Sequence, residues 1–194
     1  AQESRGLGDV YKRQVMVYIS YYRSPIGVMA MASRDNKLIG LWIKGQKNYL
    51  GDLNCSFRED NDLEIFKKTR DWLDRYFKGE KPNINELDLA PEGSEFRKKV
   101  WNLLCEIPYG EVTTYGQLAK KMAKILNRDV IFPKAIGGAV SHNPIAIIIP
   151  CHRVIGADGS LTGYAAGINK KIKLLKLEKV DTTKFYIPKK VKGL

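Results

Sequence analysis

Residues 145–154 read IAIIIPCHRV, and the rest of the chain is best understood from this stretch. The apolar residues that open it predict a buried segment that ends at Cys151, in a rigid and partly dry pocket. A thiol is a poor nucleophile until it loses its proton, and a neighbouring histidine or arginine lowers its pKa. A lone buried cysteine is more often a small core residue. The adjacent His152 and Arg153 instead indicate a reactive thiol.

Further motifs stand on both sides of this stretch. They are SPIG (24–27), FRKKVW (96–101), IPYGEVTTY (107–115), AIGGAV (135–140), NP (143–144) and LTGYAAG (161–167). From Ser94 to Glu178 their order and spacing resemble the O6-alkylguanine-DNA alkyltransferases, also called methylated-DNA–protein-cysteine methyltransferases. A lone Cys-His-Arg would be weak support for this resemblance, whereas the whole set of motifs in this order is specific to that family.

The resemblance implies an α/β N-terminal domain, RNase H-like with a small antiparallel sheet plus a helix. A mostly α, winged helix-turn-helix-like C-terminal domain would follow it. The residue pattern agrees, because residues 16–50 are rich in aromatic and aliphatic residues with turn signals between them, which predicts a short antiparallel meander. A helix is expected from about Asp62 to Lys78, ended by Gly79.

Capping signals predict the helices of the second half. Ser94 is expected to cap one helix, and Thr114 with Gln117 three residues later forms a capping-box signature for the next. After a loop, residues 134–141 form a third helix. Two consecutive helices across a turn make a helix-turn-helix. Asn169 is expected to cap the last helix.

The N-terminal half contains no obvious nucleophile–base pair, so we expect it to be a scaffold. Residues 8–14, GDVYKRQ, look like a translated sequencing adaptor, which makes Met16 the expected start. The predicted segments are a non-native leader (1–14), the N-terminal domain (15–79), a linker (80–93), the DNA-binding and alkyl-acceptor domain (94–178) and a basic, poorly packed tail (179–194).

Composition narrows the partners. A formal net charge of +12 favours a polyanion such as nucleic acid, although a solvated basic surface is about as common. Three cysteines with no close pair, no secretory leader and no long apolar stretch indicate a reducing, cytoplasmic setting. With only two histidines and no closely spaced cysteines, the sequence contains no recognisable set of zinc ligands. We expect a monomer with no metal, cofactor, membrane or protein partner.

The resemblance implies a direct displacement, in which Cys151 attacks the alkyl carbon of O6-alkylguanine and guanine departs. His152 would act as base through water, and Glu178 would orient it. Tyr115 would help to rotate the nucleotide and donate a proton to guanine, and Asn143 would bridge a helix and the active-site loop. A thioether is a poor leaving group, so one turnover per molecule is expected, with O4-alkylthymine left open as a second substrate.

The third helix would enter the minor groove while the damaged base is flipped out. Relatives fill the vacated stack with an arginine where this chain has Lys134, after about five extra loop residues. Lysine lacks the planar guanidinium, so Arg128 in that loop is a possible substitute. The DNA-binding residues implied are Tyr115, Arg128, Lys134, Ala135, Gly137, Gly138 and Ser141.

The alkyl pocket implied by the resemblance combines the cysteine loop with the 161–167 motif. Its residues are Pro150, Val154, Tyr164, Ala165 and Ala166. Relatives often carry Gly or Trp at the position of Ala166, which leaves the preferred alkyl size open. Arg153 is expected to hold structure by pairing with a carboxylate.

Three other functions compete with alkyl transfer. A Cys-His-Glu hydrolase needs an oxyanion hole, and no motif specifies one. A non-repairing alkyltransferase-like protein, which binds lesions but lacks the active cysteine, is an alternative against which Cys151 weighs. A helix-turn-helix transcription factor needs side chains that read the major groove, and Gly137-Gly138-Ala139 offers none.

Overall fold

The computed structural model of this protein describes residues 16–51, 53 and 56–189. The expected leader (1–14), Cys55 and residues 190–194 of the tail lie outside the described residues. No helix within the described ranges is long and apolar enough to cross a membrane.

The N-terminal sheet has the strand order β3-β2-β1-β4. Its strands are β1 (Val17–Ser24), β2 (Gly27–Arg34), β3 (Lys37–Ile43) and β4 (Phe57–Glu59). The first three form the predicted antiparallel meander, whereas β4 pairs in parallel with β1. Sequence analysis missed β4 because its three residues are all exposed and carry no apolar alternation.

Helix α1 (Glu64–Phe77) packs on this sheet through an apolar stripe. The stripe consists of Ile65, Phe66, Thr69, Trp72, Leu73 and Tyr76, at the spacing of one helix face. Gly79 ends the helix with a φ of +84°, a conformation that other residues rarely adopt. The helix therefore agrees with its prediction to within two residues at its N-terminal end.

The predicted linker, residues 80–93, is held along the sheet. A 3₁₀ turn spans Ile84–Glu86, and the indole of Trp72 donates to the carbonyl of Asn83 at 3.0 Å. Beyond it, Leu38 of β3 exchanges backbone hydrogen bonds of 2.8 Å with Asp88 and Ala90. This connection thus extends the edge of the sheet.

The C-terminal domain is mostly helical. It contains α2 (Glu95–Cys105), α3 (Tyr115–Ile125), α4 (Pro133–Ser141) and α5 (Ile168–Leu177), with a small parallel pair of β5 (Thr113–Thr114) and β6 (Val154–Ile155). Helices α3 and α4 with the loop between them form the predicted helix-turn-helix.

The capping predictions were right for two helices and wrong for the last. The Ser94 hydroxyl accepts from the backbone N–H of Arg97 at 3.3 Å, and Thr114 and Gln117 form the capping box. Helix α5 instead begins after Gly167, with no side-chain cap. Gly167 has a φ of +97°, so the backbone turn alone sets this helix start.

The tail packs better than predicted over its described part. The N–H of Leu161 donates to the carbonyl of Tyr186 at 2.8 Å, and the side chains of Val180 and Phe185 pack on a small apolar cluster. That cluster consists of Ile155, Leu161 and Leu175. Apolar residues between the lysines anchor the chain here.

The two domains meet at the segment that leads to Cys151. Leu41 of β3 accepts from the N–H of Ala146 and donates to the carbonyl of Pro144, both at 2.8 Å. These bonds seat residues 144–146 beside β3. The N-terminal sheet therefore helps to fix the approach to the cysteine.

Candidate active site

Cys151 begins a 3₁₀ turn, Cys151–Arg153, at the end of the apolar segment. Its thiol is buried, with 7% of the residue exposed. Burial raises the pKa of this thiol, although the Asn143 amide, the Lys171 charge and nearby backbone N–H groups act in the other direction. The sequence-based expectation of a lowered pKa was therefore wrong. Desolvation outweighs the neighbouring cations, because one of them, Arg153, pairs with a carboxylate instead.

Asn143 holds both ends of the apolar segment. Its amide N–H donates to the carbonyl of Ile149 at 2.8 Å, and its amide oxygen accepts from the backbone N–H of Ile145 at 3.0 Å. Asn143 is itself buried. Both functions of the amide are thus used to shape the loop that carries Cys151.

His152 and Glu178 form a buried pair. The imidazole Nε2 lies 2.6 Å from Glu178 Oε1, and both side chains are fully shielded from solvent. Burial lowers the pKa of His152 and outweighs the hydrogen bond to Glu178, so the ring is neutral near pH 7. A neutral ring that faces a carboxylate carries its proton on Nε2, which leaves the lone pair on Nδ1. Among the described residues, Nδ1 has no protein hydrogen-bond partner.

Glu178, the residue after α5, is the centre of a hydrogen-bond network. Arg153 Nε donates to Oε2 at 2.8 Å, and the same guanidinium donates to the carbonyl of Ile107 at 2.6 Å. The backbone N–H of Gly110 adds a contact of 3.3 Å. Burial by itself would raise the pKa of Glu178, but the bonds from His152 and the bonds and charge of Arg153 lower it below its usual range. Glu178 therefore stays ionised.

Tyr76 of α1 joins this network from the N-terminal domain. Its hydroxyl donates to Glu178 Oε1 at 2.6 Å and lies 3.5 Å from His152 Nε2. The N-terminal half is thus more than the scaffold that the sequence predicts. No sequence signal separates Tyr76 from its apolar neighbours, because it occupies a core position of the α1 stripe.

Lys171 of α5 is a second residue that sequence analysis missed. It is fully buried, and its ammonium donates to the carbonyl of Thr162 at 2.8 Å and to that of Val154. Burial lowers its pKa to about 8, opposed by its interaction with Cys151. The signal was present, since Lys171, Leu174, Leu175 and Glu178 share the i, i+3, i+4, i+7 spacing of a buried face. A lysine on such a face requires a partner.

Tyr115 stands at the start of α3, against the 162–163 loop. Its hydroxyl donates to the carbonyl of Thr162 at 3.3 Å. A Cβ on Gly163 would lie 2.5 Å from that hydroxyl, and Gly163 has a φ of +75°, so only glycine suits this position. Burial, and to a smaller extent the electrostatic interaction with nearby Cys151, raises the pKa of Tyr115 to about 12. The phenol therefore keeps its proton.

The predicted pocket residues lie around the cysteine turn. Pro150, Val154 and Tyr164 are buried, and Ala165 and Ala166 are half-buried. The Tyr164 ring stands edge-on to that of His152, with 6.5 Å between the ring centroids. Tyr164 therefore lies beside the imidazole, and Pro150 directly precedes the cysteine in the chain.

The predicted DNA-binding residues lie on the outside of the helix-turn-helix. Lys134, Ala135 and Gly138 of α4 are exposed, while Gly137 and Ser141 are half-buried. Space beside Gly138 is open, because an added Cβ would meet no atom within 4 Å. This face of α4 is therefore smooth.

Arg128 is exposed in the loop before α4. Over the described ranges, neither Arg128 nor Lys134 forms an ion pair within 4.0 Å. Both cations are therefore open to an anionic partner.

Comparison with known proteins assigns both halves of the chain. Residues 17–91 match the ribonuclease-like domain of 6-O-methylguanine DNA methyltransferase, and residues 95–180 match its DNA binding domain. A methylated-DNA–protein-cysteine methyltransferase of Methanosarcina acetivorans is 45% identical over 84% of this chain and 98% of its own length. One from Haemophilus influenzae is 39% identical over 84% of this chain and 87% of its own length.

Solved structures give the same result. The crystal structure of Mycobacterium tuberculosis OGT in complex with DNA superimposes with a TM-score of 0.71 at 37% identity, covering 88% of this chain and 98% of that one. The arrangement of a small N-terminal sheet domain and a mostly helical C-terminal domain agrees with the fold class predicted from the sequence.

Proposed function

The chain belongs to the 6-O-methylguanine DNA methyltransferase family, and on that premise we propose that Cys151 takes the alkyl group directly from O6-alkylguanine in DNA. The protein is a methylated-DNA–protein-cysteine methyltransferase that repairs DNA by direct reversal. The observation that carries the assignment of residues is the buried contact of 2.6 Å between His152 and Glu178, next in the chain to a buried free thiol.

His152 is the base that removes the thiol proton. The raised pKa of Cys151 means that the resting thiol keeps its proton, so a base has to act when the lesion binds. His152 is neutral and presents the lone pair of Nδ1, which takes the proton through a water. Glu178 accepts from Nε2 and stabilises the imidazolium that results.

The sulfur then forms a bond to the alkyl carbon as the bond between that carbon and O6 breaks. The electron pair of the broken bond stays on guanine, which takes a proton from the hydroxyl of Tyr115. The raised pKa keeps that proton on the phenol until the guanine anion forms. The imidazolium of His152 then gives up the former thiol proton through water, and the Tyr115 phenolate is reprotonated. The product is a thioether on Cys151. A thioether is a poor leaving group, so a further thiol would not displace it, and Cys105, the other free cysteine among the described residues, has a pKa raised to about 11, chiefly by burial. Each molecule therefore acts once, and it needs the reduced thiol that a cytoplasmic setting maintains.

DNA reaches the site by way of α4. Its smooth face fits a minor groove, where readout of sequence is poor, and the enzyme must act on guanine in any sequence. The thiol is buried, so the alkylated base has to leave the stack to reach it. Lys134, with Arg128 as the alternative, supplies the cation near the opened stack.

Transfer of a labelled methyl group from a duplex with one O6-methylguanine tests the assignment. Wild-type protein is expected to gain one methyl group on Cys151, located by mass spectrometry, and Cys151→Ser none. Cys105→Ser is the matched control, since Cys105 is also a free cysteine and is half-buried, and this variant is expected to react fully. Methylation of another residue, or many turnovers per molecule, would refute the assignment, and hydrolysis of a peptide ester would favour the thiol hydrolase.

A further inference from the structure

The end of α3 and the loop that follows it present large apolar side chains to solvent. Ile125, Val130 and Phe132 are 50%, 63% and 71% exposed. They make up three of the seven large hydrophobic residues that are exposed in the described part of the chain. Large apolar side chains exposed near a functional surface indicate a binding partner.

Phe132 is the most exposed of the three, and its backbone is held in place. It is the residue before α4, with an extended backbone (φ −78°, ψ 138°), and Pro133 is the first residue of the helix. The carbonyl of Phe132 accepts from the N–H of Ala135 at 3.0 Å. The aromatic ring is therefore presented by a fixed position at the N-terminal end of α4.

The segment that contains Phe132 is strongly basic. A groove of about 730 Å³ lies between α3 and the loop, and Lys120, Lys124 and Arg128 line it. From 116 to 134 the chain has five cations (Lys120, Lys121, Lys124, Arg128 and Lys134) and one acid, Asp129. An apolar ring within a cationic surface matches a partner that offers phosphates beside aromatic faces. Nucleic acid has both, and an apolar protein surface would leave these cations unpaired.

We propose that Phe132 is a wedge that enters the base stack of the duplex beside the extruded nucleotide. This inference rests on the proposed function, because a wedge has a purpose only where a base leaves the stack. Lys134, two residues further, lies against the phosphates. An exposed lysine cannot stack on a base as a planar group does, whereas a phenyl ring can. The extra loop residues thus supply a stacking group that the lysine lacks.

Rates of methyl transfer from O6-methylguanine in a duplex and in the same strand alone test this inference. Extrusion is needed only in the duplex, so the quantity to compare is the ratio of the two rates. Stacking of a base on an aromatic side chain predicts that Phe132→Ala lowers this ratio about tenfold or more. Phe132→Trp is expected to retain the ratio. Phe57→Ala is the matched control, since Phe57 is a 45% exposed phenylalanine on β4 of the other domain.

The outcomes are distinct. An unchanged ratio in Phe132→Ala would overturn the wedge and leave the proposed function intact, as long as the wild type repairs. Equal slowing on both substrates would also overturn it, because the defect would then lie in the pocket. A Trp variant as poor as the Ala variant would refute the need for an aromatic face. If the wild-type protein repairs neither substrate, the proposed function itself is refuted.

Discussion

The network around Glu178 and the surface at the start of α4 depend on opposite physical conditions. His152 and Glu178 are fully shielded and meet at 2.6 Å, and Arg153 and Tyr76 complete the bonds of the carboxylate. Phe132 and Lys134 are exposed. In the buried network a single lost atom leaves a charge without a partner, whereas on the exposed surface water replaces whatever is removed.

This contrast matches the two tasks of the protein. Displacement at carbon requires a dry site with oriented groups, so its side chains are bonded to one another before any substrate arrives. Binding of a duplex in any sequence requires charge and shape but few fixed bonds, so its side chains can stay solvated. Substitutions in the buried network should therefore alter stability and chemistry together, and those on the surface should alter only the use of DNA.

Glu178→Gln is expected to have the largest effect. It leaves the buried Arg153 guanidinium without its anion and gives His152 a neutral amide in place of a carboxylate, which should cost about 3–5 kcal/mol in free energy of unfolding and abolish repair. Urea denaturation and methyl transfer measure the two losses. Glu106→Gln is the control, because Glu106 pairs with Lys121 at 3.7 Å with about 60% of each side chain exposed. A loss below about 1 kcal/mol is expected there. Equal losses of stability and repair in the two variants would contradict the expected difference between buried and exposed regions.

Tyr76→Phe is expected to have the next largest effect. Removing a buried hydrogen bond to a charged group should cost about 1.5–3 kcal/mol, and the rate of repair should fall because His152 and Glu178 lose a neighbour that fixes them. Tyr22→Phe is a close control, since the Tyr22 hydroxyl also donates to a carboxylate of α1, Asp74 at 2.7 Å, but at the surface. If the Tyr76→Phe protein repairs at the wild-type rate, the N-terminal domain acts only as a scaffold.

Lys171→Met is expected to affect reactivity more than DNA binding. Loss of the buried positive charge should raise the pKa of Cys151 further and slow repair roughly tenfold, the equivalent of about one pKa unit. The charge of Lys171 is present below its pKa of about 8 and lost above it. The difference in repair rate between wild type and variant should therefore narrow as the pH rises through that value. A pH–rate profile with the exposed Lys173→Met as control measures this. A pH-independent difference would mean that Lys171 acts only by holding the loop.

Lys134→Ala is expected to have the smallest effect on the folded protein. Its free energy of unfolding should change by less than about 0.5 kcal/mol, while the slope of log affinity for DNA against log salt concentration should fall by about 1. Arg128→Ala, measured in parallel, shows which of the two cations contacts phosphate. Lys68→Ala on α1 is the control and should leave the slope unchanged. A marked loss of stability in Lys134→Ala would mean that this surface is less solvated than the structure indicates.

Local signals in the sequence were sufficient for most elements and for the order of the site motifs. The caps at Ser94 and Thr114 were readable because a cap is a bond between residues three apart. The Asn169 cap failed because a backbone turn at Gly167 took its place. Strand β4 was missed since its pairing with β1 joins residues about forty apart, and no local pattern records such a bond.

From the sequence alone one could read the family and the excess of basic residues, and predict Cys151 as the nucleophile, because these depend on residue types and their spacing along the chain. The contact of Tyr76 and Lys171 with the site, and the raised pKa of Cys151, required the folded molecule. Burial and distances between remote residues set these properties, since the solvation of a charge depends on everything packed around it and not on its neighbours in the chain.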